Sequence, residues 1–216
     1  AKVSGAGTDV IKVRGVRSLA GGAYSIIPDQ IEAGTYMAAV AAAGGDVIVK
    51  NIIPKHMDCI SAKLREMGVK ITEYDDAIRV QRTGILRRAN VKTLPYPGFP
   101  TDMQPLLMAL LTLAKGHCMI SETVFEARFS QAEGLCRMGA DIRIEGRRAS
   151  VFGVERLFGA EVFARDLRCG AALLCAALAA EGESLVHGAE YVERGYEKIE
   201  TALSLLGGEV RLTEQG

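Results

Sequence analysis

LAKGHCMI, residues 113–120, runs from small and apolar residues through a glycine into a strand-like stretch, and the same passage occurs in AAAGGDVIV (41–49) and AAEGESLV (179–186). Each is followed by a helical pattern that stops at a second glycine and enters another strand-like stretch: REMGVKI (65–71), CRMGADI (136–142) and SLLGGEV (204–210). Gly68 follows Gly45 by 23 residues, Gly139 follows Gly116 by 23, and Gly207 follows Gly182 by 25. An internal period decides a fold before any motif does, because one module copied several times must bury its apolar face against its own copies.

Reading backward from each first glycine, a helix opens on an aspartate: Asp29 in PDQIEAG, Asp102 in PTDMQP and Asp166 in ARDLRCG. Aspartate at the start and glycine at the end are ordinary helix boundary signals. The unit is therefore helix, strand, helix, strand, usually with a further strand after it (77–80 and 149–152). Three copies of about 65 to 70 residues predict an α/β fold of three repeated modules sharing one core. Residues 1–27 lack the opening helix; VIKVRG and AYSII read as two strands, the tail of a preceding domain, with the three-repeat domain over 28–216.

The chain has 216 residues, 49% of them hydrophobic, and 26 basic side chains balance 26 acidic ones. That content fills a core, and the neutral balance gives no support to nucleic acid or an anionic membrane as partner. The apolar runs 106–114 and 170–180 fall short of the roughly 20 residues of a membrane span, and no secretion signal opens the chain. Five cysteines without a C-x-x-C pair suit a reducing, cytoplasmic setting and read as core filler. The three histidines stand apart from ligand-type neighbours, so neither a metal nor another cofactor is expected.

Four of the six prolines (Pro95, Pro97, Pro100, Pro105) surround Asp102 in YPGFPTDMQP. Proline fixes its own backbone and biases the residue before it, so the approach to Asp102 is stiff. Thr101 then offers an N-cap oxygen, with Gln104 three positions on as in a capping box. Three aligned helix starts favour an anion at one edge, and cations approach it: Lys55, Arg128 and Arg194 before the second helices, Arg168 beside Asp166. Several planar guanidinium groups suit a small polyanionic ligand, although each arginine also has an acid nearby in sequence (Glu126, Asp166, Glu193). An aspartate among them can orient or deprotonate a substrate hydroxyl.

FPTDMQ, ETVFEARF, ARDLRCGAAL and ERGYEKIE, in that order, resemble the C-terminal half of the UDP-N-acetylglucosamine enolpyruvyl transferase family, and the likeness extends to DVIKVRGV and LAGGAYSIIPD at the start. The resemblance implies three α/β repeats around buried helices, an inside-out barrel. It implies transfer of the enolpyruvyl group of phosphoenolpyruvate to the 3-hydroxyl of UDP-N-acetylglucosamine with release of phosphate, the first committed step of peptidoglycan synthesis, without a cofactor. By the same resemblance Asp102 contacts the 3-hydroxyl as base, Val124 binds substrate through its backbone, and Asp166 assists proton movement at the enolpyruvyl carbon. Arg128, Arg168 and Arg194 then meet phosphoenolpyruvate or secure domain closure. Gln30 and Ala127 stand where relatives can carry arginine and asparagine. The family's N-terminal half, with its reactive-cysteine loop and most uracil contacts, has no counterpart here, so the chain alone is expected to be inactive and to need that half as partner. Three other readings compete: a shikimate 3-phosphate enolpyruvyl transferase, a non-catalytic ligand-binding module, and a nucleic-acid end-processing enzyme of related fold, which neutral charge and few aromatics disfavour.

Overall fold

The computed structural model describes residues 1–8, 10–126 and 128–213. A hairpin of β1 (Lys2–Ser4) and β2 (Lys12–Arg14) comes first. Unit one follows: α1 (Gln30–Ala43), β3 (Gly45–Lys50), a 3-10 turn (Pro54–Met57) running into α2 (Asp58–Glu66), then β4 (Lys70–Glu73) and β5 (Ala77–Arg82). A linking strand β6 (Val91–Lys92) leads to unit two, which opens with a 3-10 turn (Thr101–Met103) and continues as α3 (Gln104–Thr112), β7 (His117–Ser121), α4 (Gln131–Arg137), β8 (Asp141–Glu145) and β9 (Arg148–Phe152). The linking strand β10 (Glu161–Phe163) then leads to unit three: α5 (Leu167–Ala177), β11 (Leu185–His187), α6 (Ala189–Glu193) and α7 (Ile199–Leu205).

All six repeat glycines have positive φ, from +90° at Gly68 to +121° at Gly45, a conformation side chains with a Cβ rarely adopt. The second glycine of each unit closes its helix in the same way. In unit one the Val69 N–H donates to Leu64 O and the Gly68 N–H to Arg65 O; Ala140 to Leu135 with Gly139 to Cys136, and Gly208 to Leu203 with Gly207 to Ser204, repeat the pair. This is the pair of hydrogen bonds of a Schellman stop, made three times.

The sheets follow the repeat as well. Unit one orders its strands β3-β5-β4 and unit two β7-β9-β8, antiparallel throughout, with Val47 opposite Val80 and Cys118 opposite Val151. The linking strands β6 and β10 pair in parallel with β7 and β11. The first helix of each unit is the core. Ten of the fourteen residues of α1 are buried, all nine of α3, and seven of the eleven of α5, and each of the three packs on the other two. A helix apolar on every side is stable only when enclosed, and nine residues such as α3 would not hold a helix alone in water.

Some expected elements do not form. AYSII forms no strand and is exposed, with Tyr24 83% and Ile26 90% accessible, and the hairpin strand opposite β2 is Lys2–Ser4. Residues 209–213 are not a strand either. Both lack a pairing neighbour among the described residues; β4 and β8 are strands because β5 and β9 lie beside them, and an unpaired strand is not stable on its own. The expected cap at Thr101 is also replaced: the 3-10 turn is closed by the Met103 N–H on Pro100 O, while Gln104 is fully buried and faces Gln131. The cysteines do lie largely in the core. Cys118, Cys169 and Cys175 are buried, Cys59 is half-buried and Cys136 is exposed.

Gly139→Ala should therefore cost about 1–2 kcal/mol, because alanine must adopt a positive φ, and should lower the urea midpoint without changing the slope. Burial pushes the Cys175 thiol up to about 12. Alkylation of the folded protein at pH 8, read by peptide mass mapping, should mark Cys136 and spare Cys118, Cys169 and Cys175.

Candidate active site

The three aspartates that open the units have diverged in their bonding. Asp29 accepts the Ile31 N–H at 2.8 Å, and Asp166 accepts those of Arg168 at 3.0 Å and Cys169 at 2.8 Å, so both cap their helices. Asp102 sits one turn ahead of α3 and caps nothing. The proline-rich approach delivers it there, folded on itself by Gly98 N–H to Pro95 O and Leu94 N–H to Phe99 O. The carboxylate of Asp102 is thereby left for side chains.

Two arginines take it. Arg128 Nη2 lies 2.7 Å from Asp102 Oδ1, and Arg168 places Nη2 and Nε at 3.2 and 3.3 Å from Oδ2. Neither chose the acid nearest in sequence: Glu126 pairs with Arg147, and the Asp166 side chain accepts the Ser130 hydroxyl at 2.7 Å. The Arg128 guanidinium also covers the Phe125 ring at 4.7 Å. Arg168 is the more enclosed, its side chain 13% accessible against 22% for Arg128. Its Nη1 donates to the Tyr196 hydroxyl at 3.0 Å, and that oxygen lies 2.8 Å from Thr35 Oγ1, which donates to Ile31 O. Burial pushes the Tyr196 phenol up, keeping it a neutral hydroxyl. Asp102 of unit two, Arg168 and Tyr196 of unit three and Thr35 of unit one are thus one hydrogen-bonded chain.

Val124 lies on the loop after β7, 41% exposed, with its N–H held at 2.9 Å by the carboxylate of Glu122. Glu122 is itself 1% exposed and also accepts the hydroxyls of Thr93 at 2.7 Å and Thr101 at 2.9 Å. Asp102, Arg128 and Arg168 therefore meet, Asp166 and Val124 stand beside them through short bonded links, and Arg194 does not join. It is exposed at the C-terminal end of α6. Gln30 and Lys55 line a neighbouring groove of about 230 Å³ with His56, Asp58 and Tyr96. Ala127 lies outside the described residues. Sequence reasoning missed Glu122 and Tyr196, although both fall within the quoted stretches ETVFEARF and ERGYEKIE. Among the described residues no cluster of three or more metal-ligating side chains occurs, and no helix is long and apolar enough to cross a membrane.

A half-buried carboxylate between two guanidinium groups at a helix start can take a proton from a hydroxyl while the arginines hold an anion. The fold and site together are those of an enolpyruvyl transferase: the family model described as EPSP synthase (3-phosphoshikimate 1-carboxyvinyltransferase) matches residues 1–203. UDP-N-acetylglucosamine 1-carboxyvinyltransferase 3 of Symbiobacterium thermophilum is 55% identical over 215 residues, which are 100% of this chain and 51% of that protein. The UDP-N-acetylglucosamine 1-carboxyvinyltransferase of Desulfofundulus thermocisternus is 54% identical over 211 residues, 97% of this chain and 87% of that protein. Among solved structures, the enolpyruvyl transferase NikO from Streptomyces tendae aligns with a TM-score of 0.78 at 29% identity, over 86% of this chain and 44% of that one. EPSP synthase from Acinetobacter baumannii, at 19% identity and a TM-score of 0.70 over 88% of this chain and 48% of that one, shares the fold. The chain belongs to the enolpyruvyl transferase family, on the branch of the UDP-N-acetylglucosamine 1-carboxyvinyltransferases. It spans about half the length of most of the curated relatives it matches.

Tyr196→Phe tests the link from Arg168 to unit one. The change keeps the ring but leaves Arg168 Nη1 and Thr35 Oγ1 without their shared partner. A loss of about 1–3 kcal/mol is expected in denaturant unfolding.

Proposed function

We propose that this chain is the acceptor-side wall of a UDP-N-acetylglucosamine 1-carboxyvinyltransferase, which moves the enolpyruvyl group of phosphoenolpyruvate onto the sugar 3-hydroxyl and releases phosphate. The observation that carries the reading is the Asp102 carboxylate, freed from capping and clasped by Arg128 and Arg168. Asp102 orients the 3-hydroxyl and accepts its proton as the new C–O bond forms. Arg128 and Arg168 hold Asp102 in place and turn their remaining donors to phosphate or carboxylate oxygens, where guanidinium groups stabilise the charge of the departing phosphate. Val124 presents its backbone to the sugar nucleotide. Asp166, beside Arg168 in sequence, serves proton movement at the enolpyruvyl carbon, and Arg194, exposed and unengaged by the cluster, is placed to bind an anion when a second wall approaches. The names of the relatives favour the amino-sugar acceptor over shikimate 3-phosphate.

Residues 1–27 belong in this reading with that second wall, the N-terminal half of the enzyme, and the half is needed because reacting groups must be held together away from water. The site is open on one side, with Asp102 36% and Phe125 49% exposed. Phosphate release from phosphoenolpyruvate plus UDP-N-acetylglucosamine should be absent with this chain alone and present when it is combined with the N-terminal half of the Symbiobacterium thermophilum relative. Release by the pure chain alone would overturn the partner assignment, and preference for shikimate 3-phosphate in the combined halves would overturn the acceptor. If the halves bind each other and ligand tightly without turnover, the binding-module reading replaces this one. In active combined halves, Asp102→Asn should lower kcat by about 10²–10⁴-fold, the range of general-base loss; unchanged kcat would remove Asp102 from the chemistry.

A further inference from the structure

We propose that Glu122 is a positioning residue for the site, the carboxylate that sets Arg128 against Asp102 and fixes the Val124 loop. A buried carboxylate normally faces a cation, since its charge is otherwise costly to enclose. Glu122 is 1% exposed, and its hydrogen-bond partners among the described residues are all neutral donors from three separate pieces of chain. Its Oε1 accepts the Thr93 hydroxyl at 2.7 Å, the Val124 N–H at 2.9 Å and the Phe125 N–H at 3.1 Å. Its Oε2 accepts the Thr101 hydroxyl at 2.9 Å. The backbone of Glu122 is anchored in turn, its N–H on Arg147 O at 2.8 Å, so the carboxylate reports a fixed point at the end of β7.

The direction of the bond at Thr101 is what reaches the site. Because Thr101 gives its hydroxyl proton to Glu122, its oxygen lone pairs face outward and accept Arg128 Nη1 at 3.0 Å. The other end of that guanidinium, Nη2, is the group on Asp102. Arg128 therefore spans two carboxylates, Asp102 directly and Glu122 through one hydroxyl. The Phe125 ring beneath the guanidinium belongs to the same loop that Glu122 holds by two amides. One side chain consequently orders the base, its arginine and the substrate-binding loop.

Glu122→Gln separates this role from plain structural support. The amide oxygen can still serve Thr93 and the two loop N–H groups, but its NH2 must face Thr101. That hydroxyl then meets two donors, the new amide and Arg128, and has no acceptor for its own proton. A crystal structure of the Glu122→Gln chain should show the 122–125 backbone in place and Arg128 Nη1 withdrawn from Thr101; Arg128 unmoved would overturn the proposal. The kinetic arm rests on the proposed function and uses the combined halves described above. Glu122→Gln and Thr101→Val should each lower kcat/KM for UDP-N-acetylglucosamine about tenfold or more, and the double variant should be no worse than either alone. Losses that multiply, or a Glu122→Gln enzyme within twofold of the parent, would overturn it. Should the parent halves release no phosphate, the enolpyruvyl transfer reading fails while the crystal structure still decides the place of Arg128.

Discussion

Enclosure of three apolar helices by one another is the constraint from which the rest of this structure follows. Each of α1, α3 and α5 is too apolar to lie on a surface, and each finds cover on the other two. Sheets and second helices then close around the outside, held in step by glycine stops of a single geometry. Because the buried helices begin at equivalent points of equivalent units, their starts come together, and polar groups that cannot enter the core gather at that edge.

Chemistry arises where the repetition is broken. Asp29 and Asp166 each give one carboxylate oxygen to backbone amides, whereas the 3-10 turn ahead of α3 leaves Asp102 to arginines. The break is local and has a local cause. Pro100 enters the turn and Pro105 stands in the first turn of α3, so unit two opens differently from its copies. The Thr101 hydroxyl beside it caps no helix: its proton goes to the buried Glu122 carboxylate just after β7, and its oxygen accepts Arg128.

The repeat was legible in the sequence because a positive φ is a demand that few residues other than glycine meet, so the stops had to be written in one letter. Asp102, Arg128 and Arg168 were legible for a related reason: a stiff approach and planar cations announce themselves by residue type. Glu122 and Tyr196 were not. Tyr196 meets Thr35 across 161 positions of sequence, and Arg168 reaches Asp102 across 66. Such partnerships are made by packing, and a buried glutamate looks like any surface glutamate until its surroundings are known. AYSII and residues 209–213 failed in the opposite way, since strand-like composition does not supply a strand to pair with.

The contacts among α1, α3 and α5 form a closed triangle and not a row. In a linear array of repeats each unit touches only its neighbours, so folding can start at one end, spread, and tolerate the loss of a terminal copy. A triangle has no terminal copy. Removing any unit strips cover from both of the others, which makes this domain one cooperative body despite its threefold internal likeness.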